Sequence, residues 1–141
     1  KVVKEFREGS RQMGRQTLRV AGALTGHPAL IGYLADVDAG RAAGHHGEAF
    51  GMAAGALGVA DGSVAAAYLY SSTSLLVGAA QRLMRLGQLE GQRVLWLLHP
   101  LIARVAAEAT ARDAADMWSW APGLELASIR HAGLDARLFR S

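Results

Sequence analysis

The chain has 141 residues, no cysteine and a formal charge of +3, a length that suits one domain whose core needs no covalent staples. The lack of cysteine excludes disulfides, thiolate metal sites and a cysteine nucleophile, and makes a reducing, cytoplasmic setting the natural expectation. Charge is uneven, with residues 1–19 summing to +4, residues 128–141 to +2 and the middle to −3; with only 6% aromatics, this points to protein partners at the two ends rather than to nucleic acid.

The opening KVVKEFREGSRQ has neither an initiator Met nor an apolar run, so no secretory signal is expected and the chain reads as a fragment or a processed product. Residues 2–24 have a helical period, with Phe6, Ser10, Met13, Thr17, Val20 and Leu24 forming one apolar or small stripe. Arg7, Arg11, Arg15 and Arg19 follow at i+4 steps on another face. Two readings of these arginines stand: a solvated face, or a contact for an anion or a protein, since Glu5 and Glu8 cannot neutralise them all. Gly26 and Pro28 end one helix and start the next, predicted over residues 29–37. Residues 39–47 read as a loop or helix start. Helices follow over 48–59 and 63–86, with Asp61 or Ser63 as the cap of the second.

Gly87 closes that helix and another runs over 89–111, where His99-Pro100 implies a kink or two shorter helices. A turn near 113–118 and a last helix follow, the latter with Ser119 as a cap and Pro122 near its first position. The expected fold is all-α: a compact bundle of about six to eight helices forming a single domain, with residues 1–127 as core and 128–141 as a docking tail. Residues 62–81 carry no charge over a length close to a bilayer span. The polar YSSTS at their centre favours a buried helix over a membrane helix. Gly51, Gly55, Gly58 and Gly78 each cost about 1 kcal/mol against Ala within a helix, which predicts close helix approach and little interior cavity; codon bias produces the same enrichment.

Chemistry finds little purchase. Ser71, Ser72, Thr73 and Ser74 lie in a helix where hydroxyls bond back to carbonyls, with no nucleophile elbow, Walker loop or HExxH around them. His45 and His46 suit nickel, zinc or copper. Adjacent histidines point about 100° apart on a helix, so a site needs Glu48, His27 or a second copy, and a polar helix-start pair is the plainer reading. His99 is most simply a helix-break residue. His131 suits either a partner carboxylate or its own helix dipole. Gly87, Gln88, Gly91 and Gln92 place two amides at a tight helix connection, where they satisfy helix-end groups. The ending is unusual for a terminus: Leu134, Leu138 and Phe139 alternate with Arg130, His131, Arg137 and Arg140, a pattern suited to folding on a partner.

Taken together, REGSRQMGRQTLR (Arg7 to Arg19), HHGEAFG (His45 to Gly51), YLYSSTSLLVGAAQRL (Tyr68 to Leu83, with Tyr70 and Ser72), LGQLEGQRVL and APGLELASIRHAGLDARLFRS resemble the urease accessory protein family UreF. The tail departs from the family pattern at Ala132 and Asp135, and Arg85 stands where a Pro is common; family members also run longer, so the chain looks like a C-terminal two thirds. The resemblance implies an all-helical, non-enzymatic chaperone that forms homodimers, binds UreD (also called UreH) and recruits the GTPase UreG, so that nickel reaches apo-urease. It also implies that the tail orders on UreD and that Arg137 recruits the GTPase. Nickel is then handled by the complex, with no firmly bound cofactor and no nucleic-acid or membrane partner. The alternatives are a nickel carrier using His45 and His46, or a non-catalytic piece of a helical enzyme.

Overall fold

The computed structural model of the chain describes residues 3–117 and 121–131. Among them lie six helices, α1 (Lys4–Thr25), α2 (Pro28–Asp38), α3 (His46–Ala56), α4 (Asp61–Leu83), α5 (Gln88–Thr110) and α6 (Pro122–His131), with one 3-10 turn at Ala114–Asp116 and no strand. The fold is all-α, as the sequence predicts.

Helix ends fall where local chemistry puts them. α1 stops because Gly26 takes a left-handed φ of 65°, and its N–H donates to the Gly22 carbonyl at 2.9 Å. Pro28 then opens α2, its fixed φ suiting a first turn. Neither Asp61 nor Ser63 caps α4: Ala60 holds the cap position without a side-chain bond, and Asp61 lies in the first turn, where its charge complements the helix dipole. His99-Pro100 neither splits nor ends α5, which runs unbroken past Pro100. Gly91 and Leu95 on one side of the proline and Ala106 on the other are buried, so packing holds both halves in one helix at the cost of a backbone bond.

The chain divides into two compact units. Among the described residues the first comprises 3–57 and 121–131. In it α1 packs on α2 and α3 around fully buried Leu18, Leu30 and Ala49. The buried face of α1 is Ser10, Gly14, Leu18 and Gly22, one position off most of the predicted stripe. Of that stripe only Ser10 is buried; Phe6, Met13, Val20 and Leu24 are 40–81% exposed. Small residues at i+4 steps let backbones approach, and this close packing outweighs the greater apolar area of the neighbouring stripe.

The second unit, residues 58–117, is the hairpin of α4 on α5. The expected burial of α4 is not observed within it, since only Val77 of that helix is buried while Leu75 and Leu76 stand 64% and 70% exposed. In a two-helix hairpin each helix has one face to cover. By length and composition α4 is apolar enough to cross a membrane. Ser72 and Thr73 donate back to the carbonyls of Tyr68 and Leu69 at 2.9 and 2.8 Å, as their place in a helix predicts. Close approach at Gly51, Gly55, Gly58 and Gly78 is likewise not found: a Cβ at any of them would meet nothing within 4 Å. Close contact falls instead at other glycines, among them Gly14, Gly44 and Gly91.

Candidate functional site

In the first unit, burying the small face of α1 leaves two other faces of that helix open. On one side Met13, Thr17, Val20 and Leu24 meet Phe50 and Leu57 in an apolar groove of about 940 Å³. Most of the apolar stripe read from the sequence is therefore exposed surface rather than the buried face of α1. On the other side stands the arginine stripe, where Arg15 Nε donates to Asp38 Oδ1 at 2.6 Å.

The HHG segment is structural. The Ser10 hydroxyl accepts the His46 N–H at 3.2 Å, anchoring the start of α3 to α1. Gly14 permits this, because a Cβ there would overlap the Gly44 carbonyl oxygen and stand 2.8–2.9 Å from the His45 and His46 backbone. Glu48 Oε2 accepts both the Tyr33 hydroxyl, at 2.8 Å, and the His45 N–H, at 3.3 Å. That hydrogen bond, followed by burial and the Glu48 charge, holds the Tyr33 phenol above its usual pKa, against a smaller opposite effect from the Gly44 backbone. The His46 ring lies edge-on to Phe50, centroids 5.9 Å apart. Among the described residues no three or more metal-ligating side chains gather, so His45, His46, Glu48 and His27 do not converge.

In the second unit the LGQLEGQ motif forms the tight connection between α4 and α5. Gly87 holds the cap position of α5. Gln81 Nε2 donates to the Gly87 carbonyl and to Gln88 Oε1, both at 3.2 Å. Gly91 is buried against that amide, since a Cβ would meet Gln81 Nε2 at 2.6 Å. Gln92 lies apart from this knot, lining a shallow hollow with Tyr70, Trp96 and His99. His99 bridges the two larger rings, 5.7 Å from Tyr70 and 5.5 Å from Trp96, and Trp96 is 73% exposed. His99 is thus an aromatic surface residue rather than a helix breaker.

Of the tail residues, Arg130 and His131 lie in α6. Arg130 is exposed, while His131 Nδ1 stands 3.6 Å from Glu5 Oε2 of α1, an ion pair when the imidazole is protonated. Leu134, Arg137, Leu138, Phe139 and Arg140 lie outside the described residues, as does Ser119.

A sequence model of the UreF family matches residues 1–99. The chain belongs to the UreF family. It is 33% identical over 140 residues to the urease accessory protein UreF of Bacillus sp. (strain TB-90), covering 99% of this chain and 62% of that protein. The UreF of Paenarthrobacter aurescens (strain TC1) is 36% identical over 99% of the chain and 63% of its own length, and that of Arthrobacter sp. (strain FB24) 39% identical over 98% and 61%. The chain thus spans about three fifths of these relatives. No solved structure matches it. UreF proteins carry the name of accessory proteins to an enzyme, not of enzymes.

Sequence reasoning missed Gln81. It stands in one UreF-like motif and bonds to another, and its only signal was an amide six residues before a helix-starting glycine. The helical period located an apolar stripe on α1 but does not say which of two neighbouring stripes is covered.

Proposed function

We propose that this UreF-family chain is a non-catalytic scaffold in the maturation of the urease nickel centre, acting in the cytoplasm. It forms a homodimer, binds UreD/UreH and, with it, recruits the GTPase UreG so that nickel is delivered to apo-urease. The family match carries this reading. The surfaces support it: a groove walled by Met13, Val20, Leu24 and Phe50 and an exposed aromatic patch centred on Trp96 suit a protein whose work is to be covered by others. Nickel passes through the assembled complex rather than residing in a site on this chain.

The C-terminal tail is the docking element for UreD, with Arg130, His131, Leu134, Leu138, Phe139 and Arg140 as contacts and Arg137 as the residue that recruits the GTPase. Alternating apolar and cationic residues suit a segment that orders on a partner, and α6 already presents Arg130 and Ile129 to solvent. The test is co-purification of the full-length protein with UreD-like and UreG-like partners. Arg137→Ala should keep UreD and lose UreG; a ternary complex recovered at wild-type yield overturns the role given to Arg137.

A further inference from the structure

The arginine stripe of α1 remains unused by this reading. Arg11, Arg15 and Arg19 lie one above another at i+4 steps, so each step rises about 6 Å and Arg11 and Arg19 stand about 12 Å apart along the axis. With Gln12 and Gln16 they form one wall of an open groove of about 700 Å³. The opposite wall is Val37, Ala42 and Ala43, and it offers no free carboxylate. Asp38 is held by Arg15 at 2.6 Å, and Asp36 accepts from Arg41 Nε and Nη2 at 2.9 and 2.6 Å. The Arg41 and Ala42 N–H groups are also taken, donating to the Asp36 carbonyl at 2.8 and 3.2 Å.

What is left is a groove with two exposed cations, Arg11 and Arg19, neither of which has an ion pair among the described residues. Each keeps its planar fork of donors for a carboxylate. The middle cation is neutralised by Asp38, and the facing wall is small and apolar.

We propose that this groove docks an acidic, amphipathic segment of a partner protein, its carboxylates on Arg11 and Arg19 and its apolar side on Val37, Ala42 and Ala43. The spacing sets the segment's register. Two carboxylates about 12 Å apart correspond to residues four apart on an extended strand, at about 3.3 Å each, or two turns apart on a helix. Charge complementarity selects the acidic occupant. The apolar wall, without an aromatic ring on which a base would stack, selects polypeptide over nucleic acid. This docking site is separate from the tail, and its variants leave Arg137 untouched.

The test is fluorescence anisotropy of the full-length protein with a short labelled peptide carrying glutamates four apart in an alanine and valine background. The wild type should bind at low ionic strength, with affinity falling as salt rises. Arg11→Ala with Arg19→Ala should weaken binding about tenfold, as expected for loss of two exposed charge pairs, without changing the melting temperature. Arg85→Ala with Arg112→Ala, on the other unit, should leave it unchanged, and serines in place of the peptide's valines should weaken it. No binding by the wild type, or an equal loss in the Arg85/Arg112 pair, overturns the proposal. So does tighter, Arg11- and Arg19-dependent binding of a single-stranded oligonucleotide or a phosphatidylserine vesicle.

Discussion

Replacing Gly14 by Ala and Gly51 by Ala adds the same methyl group to two helices, and the structure assigns the two changes opposite signs. At Gly51 the new Cβ meets nothing within 4 Å, so the variant gains only the difference in helix propensity, about 0.5–1 kcal/mol. At Gly14 the Cβ falls on backbone atoms of residues 44–46, two of them at 2.8 and 2.9 Å. Backbone cannot step aside as a side-chain tip can. The strain costs about 1–3 kcal/mol, and displacing the start of α3 stretches the His46–Ser10 bond of 3.2 Å, a further ~1 kcal/mol. Set against the propensity gain, Gly14→Ala should destabilise by about 1–3 kcal/mol, and the two variants should differ by roughly 2–4 kcal/mol. Thermal unfolding of the full-length protein followed by circular dichroism reads this as a gap of about 5–15 °C. Equal melting temperatures for the two variants would refute the close approach of α1 to residues 44–46.

Leu18→Ala should cost about 2–5 kcal/mol because Leu18 is fully buried, whereas Leu24→Ser, at 81% exposure, should stay within about 0.5 kcal/mol; urea denaturation separates them, and similar losses would contradict the burial of the Leu18 face alone. Gln81→Ala and Gly91→Ala should each destabilise by about 1 kcal/mol, but the double variant should be little worse than Gln81→Ala alone, because the methyl group at 91 then has no amide to strike; additive losses in a denaturation cycle would contradict the knot. Tyr33 should ionise above its usual value of 10.0, and Glu48→Gln should lower it, as read from phenolate absorbance against pH. The sign of the linkage follows: with the folded value raised, the Tyr33 contribution to stability is full below the unfolded value and is lost as pH rises through the folded one.

Local signals in the chain account for the helices and for the family. Helical period, the Gly26 and Pro28 punctuation and the glycine before Gln88 are local signals, and the helices begin and end close to them because capping and backbone freedom act over a few residues. The family was legible because its motifs are sequence. What each face of a helix meets is a matter of packing, which local signals do not carry. The stripes through Met13 and Leu18 of α1 lie side by side, and only packing on α2 and α3 shows that the smaller one is covered. Glycine spacing is the same whether a neighbour comes close, as at Gly14 and Gly91, or stays away, as at Gly51 and Gly78, since the absent Cβ carries no record of what lies opposite. Gln81 joined its motif, and Arg15 found Asp38, 23 residues apart, through distances that no local pattern encodes.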